Sequence, residues 1–245
     1  MKILVCITHV PDTTSKISFT DNNTKFNESG VQFIIGPYDD YALAKAVELK
    51  ATLGATVTVL NVGEPSTAPT IRKALAIGAD DAIRINAYPQ DAMFVARQIA
   101  HVAEQNGYDL IMMGRESIDY NSGVVHGIVG ALLSIPSISP VMTLEIEGET
   151  VKLTKEIEGG KEKVESKLPL IVGCQEPIAE WKIPNMRGIM TARSKPLEVR
   201  EPVETDLATE VVSFANLPAK GQVKLIDQAN AEELIDLLRN EAKVI

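Results

Sequence analysis

The stretch that decides the fold runs from Asp109 to Leu133 and reads DLIMMGRESIDYNSGVVHGIVGALL. It begins with an uninterrupted apolar run, Leu110–Met113, which is typical of a parallel strand covered on both faces. A polar loop containing glycine follows, and a second apolar segment, Ile128–Leu133, predicts a helix. We therefore predict a buried strand, a loop at its carboxyl end, and a helix that begins directly after the loop.

The same alternation of strand and helix patterns fills the rest of the N-terminal half. Uninterrupted apolar runs predict three more strands, at Ile3–Ile7, Val57–Val62 and Ala82–Ile85. Apolar residues three and four positions apart predict helices at Tyr41–Thr52, Pro69–Ile77 and Ala92–Gln105. Strands that alternate with helices predict an α/β fold with a doubly wound, mostly parallel sheet.

The pattern changes after residue 140. Short alternating segments joined by glycine turns predict an antiparallel meander, at Thr143–Glu147, Thr150–Glu156 and Lys163–Ser166, and Pro169–Gly173 predicts a last buried strand. We assign residues 1–195 to the α/β domain and 196–245 to an extended C-terminal arm. Asn230 and Glu233 match a capping box and predict a terminal amphipathic helix, whose apolar stripe either folds back or packs on a partner chain.

The composition restricts the possible partners. The 245 residues carry a formal net charge of -9, which argues against nucleic-acid binding and against anionic membranes. The longest apolar runs fall short of the ~18 residues that a membrane helix needs, and MKILVCITHV at the N-terminus is interpreted as a strand and not as a signal peptide. Cys6 and Cys174 lie in apolar runs, which favours buried free thiols and a cytoplasmic location.

A ligand is expected at the carboxyl edge of the sheet, where ligands of open parallel sheets collect. Three strand ends carry suitable loops, at Cys6–Asp12, Asn61–Glu64 and Gly114–Gly127. Ser122, Gly123 and the first amides of the following helix form an anion site without a basic side chain. The alternative is that these residues only cap the helix, as in any strand-to-helix loop.

Several motifs of other functions are missing from the sequence. The first strand is not followed by GxGxxG, and there is no GxxxxGK[ST], which disfavours a dinucleotide fold and a P-loop ATPase. Three histidines and two cysteines do not assemble a catalytic triad or a metal site, so we predict no catalytic and no metal-binding residues.

Three segments carry a resemblance to a known family. GRESIDYNSG after the strand DLIMMG resembles the nucleotide loop of the beta subunit of electron transfer flavoproteins, and TIRKALAIGADDAIRI resembles another segment of that family. KEIEGGKEKVESKLPLIVGC followed by NMRGIMTARSKPLEV resembles its signature region. The resemblance implies a Rossmann-like sheet of the adenine nucleotide alpha hydrolase type, and an electron carrier subunit in place of an enzyme with its own redox chemistry.

The resemblance also implies the binding residues. The family's beta subunit binds AMP, or a second FAD in the bifurcating branch, and pairs with an alpha subunit that holds the redox-active FAD. The implied nucleotide contacts are Cys6, Gly36, Pro37, Tyr38, Asp39, Val62, Asp119, Tyr120, Asn121, Ser122, Gly123, Val124, Val125, His126 and Gly127. Because Tyr120, Val124, Val125 and His126 differ from the residues usual in the family, AMP and FAD both remain open.

The resemblance further implies the partners. Met186 stands at the anchor position of the loop with which the family binds dehydrogenases, flanked by Ile183 and Ile189. The implied partners are acyl-CoA dehydrogenases as donors and an electron transfer flavoprotein–quinone oxidoreductase as acceptor, which suggests fatty acid oxidation. Two alternatives are a universal-stress-type ATP-binding module and an adenylyl-transferring enzyme of the same superfold. The first does not account for the meander, and the second lacks its motif after the first strand.

Overall fold

The computed structural model describes residues 1–219, 221 and 223–245. It divides the chain into two compact units, each formed by two stretches of sequence. The first unit comprises Met1–Lys16 and Asn27–Val212, and the second comprises Ile17–Phe26 and Ser213–Ile245. The predicted nucleotide loops all belong to the first unit.

A nine-stranded sheet forms the centre of the first unit. Its strands are β1 (Lys2–Cys6), β6 (Thr56–Val62), β7 (Asp81–Ile85), β8 (Leu110–Gly114), β9 (Ser137–Glu147), β10 (Thr150–Ile157), β11 (Gly160–Lys167), β12 (Leu170–Cys174) and β13 (Leu197–Arg200). They lie in the order β11-β10-β9-β12-β8-β1-β6-β7-β13. In this spatial order, all neighbouring strands from β9 across to β13 are parallel. Beyond β9, the strands β10 and β11 extend the sheet as an antiparallel meander. Two further strands, β2 (His9–Pro11) and β5 (Phe33–Ile35), form a separate antiparallel pair.

Helices cover both faces of this sheet. They are α1 (Pro37–Leu53), α2 (Ala68–Ile77), α3 (Ala92–Asn106), α4 (Val125–Leu133) and α5 (Met186–Ala192). Successive strand residues point to opposite faces, so Ile3 and Val5 pack with α1 and α2, while Leu4 packs with α3 on the other face. The predicted α/β class with a mostly parallel doubly wound sheet is confirmed.

Several short elements were not predicted from the sequence, and two of them lie in the C-terminal part of the first unit. The segment after Glu176 has little periodicity, yet it contains α5, and Leu197–Arg200, which we had assigned to the arm, is the edge strand β13. Parallel pairing with β7 explains its position, because Ala82 N donates to Pro196 O at 3.0 Å and Asn86 N donates to Arg200 O at 2.8 Å. A four-residue edge strand carries too few residues for its alternation to stand out.

The second unit combines a short hairpin with the C-terminal segment. Strands β3 (Phe19–Thr20) and β4 (Lys25–Phe26) pair antiparallel, and the Phe19 ring stacks on Phe214 with centroids 5.0 Å apart. The terminal helix is present as α6 (Ala231–Asp236), followed by a π-helical turn at Leu237–Glu241. Within this segment the capping differs from the prediction: the Asn230 side chain caps nothing, and Asp227 accepts from Ala229 N at 2.8 Å instead. Across the described residues, every helix is too short or too polar to cross a membrane.

Candidate functional site

The central sheet opens between β1 and β8 at its carboxyl edge. The pairing of these two strands ends at Val5 and Met112. Beyond that point β1 continues beside β6 as far as Cys6, and β8 continues beside β12 as far as Gly114. Chain connections leave β1 and β8 toward opposite halves of the sheet, so this is its topological switch point, where ligands bind in open α/β sheets.

The carboxylate of Asp39 lies between the two parting strands. Its Oδ2 accepts from Thr8 N at 2.8 Å and from Thr8 Oγ1 at 2.6 Å, and its Oδ1 accepts from Gly114 N at 2.7 Å. Asp39 is only 3% exposed. Burial raises the pKa of Asp39 to about 6, although its three hydrogen bonds favour the ionised form. The side chain therefore joins the first turn of α1 to both strand ends.

Two glycines make room for this carboxylate. A side chain at Gly36 would overlap Thr8 Oγ1 and Asp39 Oδ2. A Cβ at Gly114 would lie 2.6 Å from Tyr38 Cβ and 2.7 Å from Asp39 Oδ1. Real Cβ atoms do not approach other heavy atoms so closely, so both positions require glycine for space.

The end of β6 contributes a buried amide to the same edge. Asn61 Nδ2 donates to Ile7 O at 2.9 Å, whereas Asn61 Oδ1 is buried and has no hydrogen-bond partner in the described chain. A buried acceptor without a donor is costly, because it loses its water contacts without replacement. Asn61 Oδ1 is thus free to accept a hydrogen bond from a ligand group, next to Val62 and Gly63.

The loop after β8 folds on itself. Asp119 accepts from Tyr120 N at 3.0 Å and from Ser117 Oγ, and an isolated bridge joins Ser117 to Ser122. Asn121 has a φ of 49°, the left-handed conformation that Asn tolerates better than most residues. These contacts hold the loop in a compact turn that leads into α4.

The helix α4 begins without a side-chain cap. It follows Val124, which has no side-chain oxygen, and the Ile128 amide already bonds to Val124 O at 3.0 Å. The helix starts at Val125, three residues earlier than the predicted Ile128, and its first turn includes His126 and Gly127. The positive end of the helix dipole therefore faces the loop, an arrangement that favours an anion.

Beside this helix start lies a polar cavity of about 290 Å³, lined by Arg115, Glu116, Gly123, His126, Ser139 and Pro140. Arg115 Nη1 donates to Gln175 Oε1 at 2.9 Å, and its guanidinium stacks 4.9 Å from the Tyr38 ring centre. The buried Nε of Arg115 has no partner in the described chain. Burial lowers the pKa of His126, whose Nδ1 lies 3.2 Å from Ser137 Oγ, so the imidazole is neutral at pH 7.

Comparison with known proteins places the chain in a family. The family model described as "Electron transfer flavoprotein domain" matches residues 23–205. The electron transfer flavoprotein subunit beta of Bacillus subtilis is 35% identical over the full length of both chains. That of Bradyrhizobium diazoefficiens is 32% identical, again over the full length of both chains. The chain belongs to the electron transfer flavoprotein beta subunit family.

A further relative differs in its name. The acryloyl-CoA reductase electron transfer subunit gamma of Anaerotignum propionicum is 29% identical, with 97% of this chain and 98% of that protein covered. Membership of the family gives this electron transfer flavoprotein chain a role in electron transfer, paired with an alpha subunit.

The fold of this family member collects many of the implied nucleotide residues at one edge. Cys6, Gly36, Tyr38 and Asp39 surround the opening between β1 and β8, and Gly123 and His126 line the adjoining cavity. Asp119, Tyr120 and Val124 lie on the exposed outside of the loop. Thr8, Gly114 and Arg115 lie within the strand-end loops predicted to bind a ligand, at Cys6–Asp12 and Gly114–Gly127, but the sequence analysis did not name them as individual contacts. The sequence signal for two of them is that Gly114 and Arg115 directly follow the predicted buried strand Leu110–Met113.

The implied docking segment of this electron transfer flavoprotein chain is an exposed apolar surface. Met186 is 75% exposed, Ile183 72% and Met190 71%. The helix α5 that carries Met186 and Met190 packs on α2, and Gly188 permits this because any side chain there would overlap Ala76 O. Between the two helices lies a cavity of about 540 Å³, lined by apolar residues together with Arg72, Lys73 and Arg193.

Proposed function

We propose that this chain binds an adenine nucleotide as a structural element and docks flavoenzymes that reduce the FAD of its alpha subunit. The single observation that carries the nucleotide proposal is the opening at the switch point, where β1 and β8 part beside an uncapped helix start. Near this opening lie the unpaired polar atoms Asn61 Oδ1 and Arg115 Nε, together with the uncapped amides at the start of α4.

The residues present fit an adenine nucleotide with a phosphate. Arg115 pairs through Nη2 with Glu116 Oε1 at 3.3 Å and brings an unpartnered Nε to the side of the loop, and α4 adds the positive end of its dipole. On the other side of the opening, Asn61 Oδ1 offers a buried acceptor to a base or a ribose hydroxyl. In this assignment Arg115 and the first amides of α4 bind the phosphate, and the ends of β1 and β6 contact the nucleoside.

AMP is the nucleotide we propose, with FAD as the alternative. Either would be retained through its adenylate part, which needs only the groups named above. The redox chemistry is supplied by the FAD that the alpha subunit holds or shares. The residues of this chain orient the nucleotide, exclude water from the opening, and position the docking surface.

We further propose a dehydrogenase acting on acyl-CoA esters as the electron donor, and an electron transfer flavoprotein–quinone oxidoreductase as the acceptor, in the cytoplasm. Exposed methionines adapt to different partner surfaces, which suits a carrier that meets several enzymes. The name of the Anaerotignum propionicum relative, an electron transfer subunit of an acryloyl-CoA reductase, supports a partner that acts on a CoA ester.

Co-expression of the full chain with candidate alpha subunits tests this proposal. Nucleotides extracted from the purified heterodimer are identified and counted by mass spectrometry. One AMP and one FAD per heterodimer support the proposal, and two FAD indicate the bifurcating alternative. A heterodimer that holds its flavin but no adenylate attributable to this chain contradicts the nucleotide assignment. Reduction of the flavin by an acyl-CoA dehydrogenase and its substrate tests the donor separately.

A further inference from the structure

The carboxylate of Asp39 occupies the place where backbone pairing between β1 and β8 should continue. Below the opening the two strands are in register at three consecutive positions, the last being Val5 and Met112. Above it, Thr8 N and Gly114 N point to the two oxygens of one carboxylate, at 2.8 Å and 2.7 Å. The side chain thus acts as a bridge across the split.

The residues around the bridge leave space for the carboxylate of Asp39. Gly36 and Gly114 both leave their Cβ space to this carboxylate. The thiols of Cys6 and Cys174 approach it from β1 and β12, and burial together with the charge of Asp39 raises the pKa of each thiol. Both cysteines therefore stay neutral, and the charge at the centre of the opening belongs to Asp39.

We infer that Asp39 is a positioning residue, whose carboxylate sets the width of the opening between β1 and β8 and thereby holds the strand ends that contact the nucleotide. The inference rests on the proposed function for its nucleotide part. The side chain is buried and accepts three hydrogen bonds from its own chain, so it acts through Thr8 and Gly114 and not by touching the ligand.

The carboxylate of Asp39 also excludes a phosphate from the space between β1 and β8. In an open sheet, free amides at the switch point are a usual anion site. Here the amides of Thr8 and Gly114 already donate to Asp39, and its negative charge repels a second anion. The phosphate is therefore excluded from the split and directed to the Arg115 side of the loop.

The variant Asp39→Asn tests the bridge in the full chain. An amide keeps one acceptor oxygen but presents N–H groups to the other donors, so it can bind only one of the two strand-end amides. The matched control is Asp40→Asn, because Asp40 is the next residue on α1, is also buried, and bonds to Trp181 Nε1 at 3.1 Å and not to either strand.

Amide hydrogen exchange measured without added nucleotide gives the first readout. We expect exchange at Thr8 and Gly114 to accelerate at least about tenfold in Asp39→Asn, with unchanged exchange at central amides such as Val59. A merely structural loss of stability would accelerate all of these amides together. Unchanged exchange at Thr8 and Gly114, or equal acceleration in Asp40→Asn, overturns the inference.

Affinity for AMP, measured by calorimetry on the full chain, gives the second readout. We expect the Kd to rise about tenfold or more in Asp39→Asn and less than about threefold in Asp40→Asn. Unchanged AMP affinity despite faster local exchange overturns the positioning role. If the unmodified chain binds no AMP while the exchange result holds, the proposed nucleotide function fails and the bridge itself stands.

Discussion

The guanidinium of Arg72 donates from Nη1 to Ala192 O at 2.8 Å, which fixes the end of α5 to α2. The same nitrogen donates to Lys195 O at 2.7 Å. Lys195 in turn reaches back with Nζ to Leu75 O at 2.8 Å. The exposed apolar surface proposed for docking is therefore carried on a segment that hydrogen bonds with α2 hold in place.

Replacing Arg72 by Ala removes both of these hydrogen bonds. Because charged donors contribute about 1.5–3 kcal/mol each and this one is only partly buried, we expect a loss of about 1–3 kcal/mol in the free energy of unfolding. Amide exchange should accelerate within residues 186–192, and electron acceptance from the dehydrogenase should slow. AMP content should not change. Arg97→Ala, on the exposed side of α3, is the control, and equal behaviour of the two variants would refute this role of Arg72.

Substitution of Met186 tests the proposed docking surface directly. An exposed flexible apolar side chain that is buried on docking contributes roughly 1–3 kcal/mol to association. Met186→Ser should therefore raise the apparent KM for the dehydrogenase about tenfold and leave the folded stability unchanged. Val199→Ser, at a half-exposed apolar position on β13, is the control. A rise in KM shared by both variants would argue against a specific anchor.

The sequence predicted the central strands well, because parallel strands buried on both faces leave uninterrupted apolar runs. The edge strand β13 and the helix α5 were missed for a physical reason: each is short, and each is held by long-range bonds from residues such as Arg72 that local periodicity does not record. The position of Asp39 was implied by family resemblance, but its role as a bridge depends on where β1 and β8 stop pairing. The end of this pairing cannot be read from the sequence, because β1 and β8 are more than 100 residues apart in the chain.

Gly114 and Gly127 make a matched pair, since both lie beside the same loop. Gly114→Ala places a Cβ 2.6 Å from Tyr38 Cβ, and we expect a loss of about 2–4 kcal/mol in unfolding free energy together with weaker AMP binding. Gly127 has open space around its Cβ position within the first turn of α4. There Ala should be neutral or stabilising by up to about 1 kcal/mol. Urea denaturation of both variants distinguishes these outcomes, and a harmless Gly114→Ala would show that the close packing is not required.

Arg115 allows the phosphate position to be tested by comparing two ligands. Arg115→Met keeps most of the side-chain length but removes the charge and the free Nε. We expect the Kd for AMP to rise about tenfold to a hundredfold, while the Kd for adenosine stays within about threefold. Calorimetry with both ligands on one protein preparation provides its own control. An equal weakening of AMP and adenosine would mean that Arg115 supports the fold of the site and does not bind the phosphate.

The buried carboxylate of Asp39 should make the folded chain less stable as the pH rises. Burial raises the pKa of Asp39 from 3.8 to about 6 in the folded chain, so between these values the folded state binds the proton more tightly than the unfolded state. The contribution of this residue is then most favourable below about pH 4 and is lost as the pH rises to about 6, by roughly 3 kcal/mol in total. Asp39→Asn has no such titration.

Urea unfolding measured from pH 4 to pH 7.5 tests this. The stability of Asp39→Asn relative to the unmodified chain should improve as the pH rises through this window, and level off above about pH 6.5. Burial also raises the pKa of Asp40, so Asp40→Asn measures the contribution of that neighbour separately. Parallel stability curves for the unmodified chain and Asp39→Asn would mean that folding does not raise the pKa of Asp39, and that the carboxylate is ionised without a burial penalty. A relative stability of Asp39→Asn that continues to improve above about pH 6.5 would instead mean that the bridge is made by a neutral acid, with weaker hydrogen bonds to Thr8 and Gly114.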